Sequence, residues 1–201
     1  MIYDEDYYER GVETGKSLYS NFRWMPELTI PLAHEIIKAL GLKEGDSVLD
    51  FGCAKGYLVK ALRLLKIDAS GFDISEYAIS QADSDVQRHV ATTIPDKRFD
   101  FIICKDVLEH MSAHLVGETL KTLAKHTDRV FIVVPLGDGE KYLVPSYELD
   151  ITHVIREPLS WWESEVSKAG FECIQARYEC GHLKGNYKQY PNGNGFLVGT
   201  K

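Results

Sequence analysis

The sequence predicts an alternating α/β fold, with a mostly parallel sheet, helices on both faces and a closing antiparallel hairpin. Three observations predict it. Short β-branched runs alternate with segments of helical period from residue 31 to residue 169. The first of these runs ends in a carboxylate and a glycine-containing loop, the position at which open α/β sheets bind ligands. The last two strand runs have no helix between them, so they are expected to pair antiparallel.

The elements follow in order. Residues 1–30 crowd Tyr3, Tyr7, Tyr8, Tyr19, Phe22 and Trp24 among acidic residues with no clean period. They read as an appended aromatic arm, either a lid or a cover for a sheet edge, ahead of one domain over 31–201. Pro31 suits a first helical position, and Leu32, Ile36, Ile37 and Leu40 mark one apolar face ending at Gly41. Strands are expected at 47–51, 69–74, weakly at 86–90, at 99–104 and at 129–134. Helices are expected from Tyr57 to Leu65, from near Ser75, and over 112–126. A capping box, Ser160-x-x-Glu163, opens a helix that buries Trp162, Val166 and Ala169 and stops at Gly170. Strands at 171–178 and 196–200 complete seven.

Composition excludes several classes. The chain has 201 residues, enough for one domain with a core that needs no disulfide or metal staple. Its 23 Lys+Arg against 30 Asp+Glu leave a net charge of −7, which argues against a surface that tracks phosphates, so no nucleic-acid partner is expected. No uncharged apolar run reaches the roughly 20 residues that a bilayer helix needs, so no membrane is expected either. The acidic start, MIYDEDYYER, reads as neither signal nor transit peptide. Cys53, Cys104, Cys173 and Cys180 form no Cys-x-x-Cys pair, as befits thiols in a reducing cytoplasm.

Residues 48–56 read Val-Leu-Asp-Phe-Gly-Cys-Ala-Lys-Gly. A dinucleotide fingerprint would need glycine where Ala54 and Tyr57 stand, and a triphosphate loop fails on spacing. Asp50, directly before the loop, suits a cationic ligand better than a pyrophosphate. Asp73 follows 23 residues later at the end of the next strand, where a carboxylate can hold ribose hydroxyls. Together these describe a nucleoside-containing ligand with a positive group and no phosphate.

With these pieces in place, the chain resembles the class I S-adenosylmethionine-dependent methyltransferases. The match runs through residues 48–56, Gly71-Phe72-Asp73-Ile74-Ser75, residues 99–110 and the closing hairpin, over about 31–201. The resemblance implies a Rossmann-like seven-stranded sheet and the cofactor S-adenosylmethionine, with S-adenosylhomocysteine as product. It implies that Asp50, Phe51, Gly52, Cys53, Ala54 and Gly56 line the methionine end, that Asp73 holds the ribose and that Ile74 packs on the adenine. Cys104 and Lys105 would offer backbone groups to the amino-acid end. The family usually has glycine where Ala54 stands. It often has an acidic residue near Arg88-His89-Val90, where backbone at Val90 is the expected substitute. Arg23 is either a fork for the methionine carboxylate or a surface residue beside Trp24.

Methyl transfer to a hydroxyl is helped by removal of its proton. The candidates are Glu109, His110, His114, Asp150 and His153. A helix start at 106–110 would put Asp106, Glu109 and His110 on one face. Around Leu108-Glu109-His110 the chain is similar to ubiquinone O-methyltransferases and to RNA-end methyltransferases, and in both the resemblance implies a divalent ion that orients the acceptor oxygen. Mg or Mn is the ion in question, though Leu-Glu-His also occurs in metal-free relatives, and no metal ligand is assigned. His153 is the first choice of general base, with a purely loop-fixing histidine as the alternative. The expected partner is a small-molecule acceptor, a sugar or quinol-like hydroxyl. The rivals are a metal-assisted RNA-end enzyme and a non-catalytic cofactor-binding subunit.

Overall fold

In a computed structural model, residues 2–201 are described, and the chain divides into two compact units that meet at Pro95/Asp96. Seven strands form one sheet in the order β3-β2-β1-β4-β5-β7-β6.

The first unit opens with two short helices, α1 (Glu5–Glu9) and α2 (Gly11–Thr14). Asp4 caps α1 by accepting from the Tyr7 N–H. The next helix, α3, spans Pro26–Leu40. It therefore starts five residues before the position expected from Pro31. Pro26 takes the first helical position, and Pro31 lies inside, where it forgoes one backbone hydrogen bond. Strand β1 (Ser47–Phe51) pairs parallel with β2 (Asp68–Phe72) across helix α4 (Tyr57–Leu64). Helix α5 (Glu76–Ser80) is capped by Ser75, whose hydroxyl accepts from the Ala78 N–H. The weak strand expected at 86–90 shrinks to β3 (Val90–Ala91), because Gln87–His89 turns as a 3-10 helix. Val48, Leu49, Ala33, Ile36, Val59 and Leu62 are all fully buried in this unit.

The second unit holds β4 (Phe101–Lys105), α6 (Ala113–His126) and β5 (Arg129–Pro135), with β4 and β5 parallel. Helix α7 (Leu159–Lys168) follows, then β6 (Glu172–Arg177) and β7 (Asn194–Thr200). The capping box does not form. Pro158 stands at the N-cap and Ser160 lies within the first turn. The expected buried face of α7 is present, with Trp162 and Val166 fully enclosed. β7 runs antiparallel to β5 on one side and to β6 on the other, with a bulge between Cys173 and Gln175. This is the closing hairpin that the sequence predicts. No described helix is long and apolar enough to cross a membrane.

Candidate active site

In the first unit, the loop after β1 is pinned to the end of β2. The N–H groups of Gly52 and Cys53 both donate to the Phe72 carbonyl, at 2.7 and 2.9 Å. Asp73 completes the cradle: its carboxylate accepts from the Ala54 N–H at 2.7 Å and from the Ser75 N–H at 2.8 Å. Burial raises the Asp73 pKa against those two hydrogen bonds. Ala54 adopts a left-handed φ of 50°, the conformation that the family's usual glycine takes without strain. Gly56 needs its lack of a side chain, since a Cβ there would lie 2.9 Å from Val90 Cγ1. Asp50 is buried at the end of β1, Phe51 stacks on Phe72 at 4.9 Å, and Ile74 is 53% exposed.

The aromatic arm packs on this loop. Tyr7, Tyr8 and Ala78 form a buried cluster flanked by Tyr3, Tyr19, Phe22, Ala54 and Tyr77. The Lys55 ammonium pairs with Glu9 and donates to the Phe22 carbonyl at 2.7 Å. The Ser75 hydroxyl donates to the Tyr3 carbonyl at 2.6 Å. Arg23 is exposed at the end of the arm. The donor set of this loop fits a nucleoside. It offers an anchored carboxylate with lone pairs to spare, an exposed aliphatic side chain beside it, and backbone brought close by Gly56.

In the second unit, Cys104 is buried in β4 and Lys105 ends that strand, their backbones paired with Ile132 and Val133. The helix expected at 106–110 is not an α-helix. Asp106 sits at φ 55°, and only Leu108–His110 turn, as a 3-10 segment. Asp106 is directed to cations instead of joining Glu109 and His110, with Lys105 at 2.5 Å and Lys184 at 2.7 Å. Burial would raise its carboxyl, but those two charges outweigh it and hold the group well below the usual range.

The structure brings Glu109, His110 and His153 together, with one donor atom from each within 4.8 Å of the others. The segment carrying His153 is tied down by the Glu109 carbonyl, which accepts from the Val154 N–H at 2.9 Å. Glu109 is 1% exposed. Burial, and then the charge of Asp106, push its carboxyl up to about 8, so it is neutral at pH 7. Burial and His153 lower His110 to about 4. Burial also lowers His153, while Asp150, the Tyr147 carbonyl and Asp106 push back.

Hydrogen bonds assign the tautomers. The Thr152 hydroxyl lies 2.5 Å from Asp150 Oδ1 and 2.6 Å from His110 Nδ1. Its one proton goes to the carboxylate, so its oxygen accepts from His110 Nδ1–H. His153 Nδ1 lies 2.9 Å from the Tyr147 carbonyl, which only accepts. Both imidazoles therefore carry their lone pair on Nε2. Glu109 Oε2 and the Tyr142 hydroxyl are buried without a hydrogen-bond partner among the described residues, and the Tyr142 ring packs edge-on to His153 at 5.4 Å. His114 is not part of the cluster; it stands exposed on α6 beside Glu118.

Sequence reading missed Lys184, Tyr142 and the bridging role of Thr152. Only Thr152 left a signal, since Asp-x-Thr is the pattern of a side chain that bonds the backbone two residues on, here at 2.9 Å. The cluster does not fit an oxygen-rich ion such as Mg. Nitrogens supply two of its three donors, and Asp106 belongs to the lysines.

Known proteins resemble parts of this chain and its fold. The ribosomal protein L11 methyltransferase of Neisseria gonorrhoeae is 31% identical over 99 residues, 45% of this chain and 33% of that protein. The ubiquinone biosynthesis O-methyltransferase of Paraburkholderia phymatum is 30% identical over 112 residues, 49% of this chain and 48% of that protein. The chain thus spans between a third and a half of the length of these relatives. The crystal structure of a SAM-dependent methyltransferase from Archaeoglobus fulgidus superposes with a TM-score of 0.68 at 18% identity, covering 88% of this chain and 95% of that one. The methyltransferase-domain family matches residues 23–176, and with the class I fold already in place, the chain belongs to that family of S-adenosylmethionine-dependent enzymes.

Proposed function

We propose that the protein methylates a hydroxyl of a small organic acceptor, a sugar or quinol-like metabolite, with His153 as general base. The observation that carries this reading is the cluster of buried Glu109 with half-buried His110 and His153, one donor atom of each within 4.8 Å of the others. S-adenosylmethionine, when bound, supplies an electrophilic methyl group on a sulfonium. The loop at 50–56, Asp73 and Ile74 are its proposed holders in the first unit, with Val90 backbone beside them. Cys104 and Lys105 are the proposed holders in the second, and Arg23 is a candidate for its carboxylate.

The chain's own residues then have distinct tasks. His153 Nε2 holds a lone pair and takes the acceptor's proton, with Asp150 and the Tyr147 carbonyl opposing the effect of burial on its basicity. His110, locked by Thr152 and Asp150, stays neutral and presents its Nε2 lone pair to a neighbouring hydroxyl of the acceptor. Glu109, in its neutral form, has a proton on a buried carboxyl to donate to the acceptor oxygen. A neutral trio also leaves the sulfonium as the dominant charge, which favours attack by a developing alkoxide. The relative named as an O-methyltransferase supports the choice of oxygen. Residues 1–30 are proposed as an arm that holds the cofactor loop through Lys55 and Tyr3. The test is calorimetric titration with S-adenosylmethionine and S-adenosylhomocysteine, then a screen of phenols, glycosides and carboxylates for S-adenosylhomocysteine release.

A further inference from the structure

Within the second unit a cleft of about 570 Å³ opens beside His110, inside the ~300–1,000 Å³ usual for small-molecule sites. Its lining combines three chemistries. Trp161 provides an aromatic wall and is held edge-on against the fully buried Trp162, ring centroids 4.9 Å apart. Glu140 and Glu157 line it as well, and neither carboxylate has a partner among the described residues. Two helix starts border it. Ser112 and Ala113 begin α6, and Trp161 lies in the first turn of α7, which has no side-chain cap.

These features select among ligands. The start of α6 presents N–H donors, the Trp161 N–H being already given to the Pro158 carbonyl at 3.0 Å, and the carboxylates present acceptors. Arg156, the one cation in the lining, is already held in a fork by Glu148 at 2.7 and 3.0 Å. A phosphate or carboxylate would meet two uncompensated anions. A plain ammonium ion would meet the positive ends of two helices. A hydroxyl both donates and accepts, so a hydroxyl-rich group satisfies both sides, and a ring carrying such hydroxyls also has an apolar face for Trp161.

We propose that this cleft binds a polyhydroxylated ring, a sugar-like part of the methyl acceptor, with its plane against Trp161 and its hydroxyls on Glu140 and Glu157. The assignment rests on the O-methylation reading and specifies its substrate class.

The probes are methyl glucopyranoside, methyl mannopyranoside and, for contrast, catechol. Each is titrated into the full chain while tryptophan fluorescence and saturation-transfer NMR are followed. S-adenosylhomocysteine release is measured in parallel. Saturable glycoside binding that quenches Trp161 is expected, with the quench lost in Trp161→Phe and affinity lowered about 10-fold in Glu157→Gln or Glu140→Gln. Glycoside binding unchanged in both Gln variants and in Trp161→Ala overturns the proposal. Binding and methylation of catechol, with no glycoside binding, overturns the sugar assignment and leaves O-methylation standing. Glycoside binding at Trp161 with no acceptor methylated supports the cleft and overturns the O-methylation reading.

Discussion

His110 is held through its Nδ1 by the hydroxyl of Thr152, 2.6 Å away and 42 residues later in the chain. The same hydroxyl donates to Asp150. A single threonine therefore sets the tautomer of one imidazole and ties the 150–155 segment to the turn at Leu108–His110. Thr152→Val should leave His110 Nδ1 and Asp150 without this bridge. Loss of one buried hydrogen-bonded group costs about 1–3 kcal/mol, so the melting temperature should fall. Turnover should fall with it while S-adenosylmethionine affinity holds, and Thr152→Ser should restore both. Calorimetry and denaturation of the pair check this.

Glu109 controls stability at mildly alkaline pH. In the fold its carboxyl stays protonated up to about 8, whereas the unfolded group titrates near 4.5. Between those values the native state binds a proton that the unfolded state lacks, so stability falls as pH rises from about 4.5 to about 8. His110 works in the opposite sense, from about 4 to 6.5, because the unfolded state is the one that binds more protons there. Between pH 6.5 and 8, of these two, only Glu109 contributes. Urea denaturation over that window should show a falling slope in the native chain and a flatter one in Glu109→Gln. Equal slopes would mean that Glu109 is ionised at neutral pH.

Asp73 is expected to act on binding. Asp73→Ala removes the acceptor for the Ala54 and Ser75 N–H groups as well as the proposed ribose anchor. S-adenosylmethionine affinity should fall by 10-fold or more, at about 1.4 kcal/mol per factor of ten. Unchanged calorimetric affinity would remove Asp73 from the cofactor site.

Ala54 offers a gain. A left-handed residue with a Cβ pays about 1 kcal/mol that glycine does not. Ala54→Gly should keep cofactor affinity, and its added chain entropy offsets part of that gain. The expected melting temperature is equal to or slightly above that of the native chain, and a large drop would count against the strain argument.

Chelation separates base chemistry from metal chemistry. With nitrogens outnumbering oxygens among the three donors, treatment with EDTA should leave turnover unchanged. Activity lost to EDTA and restored by Mn would replace the base role of His153 with a ligand role.

The strand-and-loop half of the candidate site was legible as structure because its signals are local. A buried run, a carboxylate and a glycine turn lie within nine residues at 48–56, and Asp73 ends the next strand. The approach of His110 to His153, ring centroids 4.6 Å apart, depends on how a long loop folds back, which periodicity does not encode. Asp106 shows the limit most clearly. Helical spacing put it with Glu109, but a left-handed backbone and a lysine 78 residues away hold it elsewhere. Helix starts drifted for a related reason. Pro26 and Pro31 both suit a first turn, and tertiary packing chose the earlier one.

The central claim is that His153 removes the acceptor's proton. The most direct measurement is S-adenosylhomocysteine release by His153→Ala on a hydroxyl acceptor found in the screen, alongside its S-adenosylmethionine affinity. The account predicts nearly unchanged affinity and turnover reduced by about 10²–10⁴. Turnover equal to that of the native chain would contradict it and leave His153 as a residue that only fixes its loop.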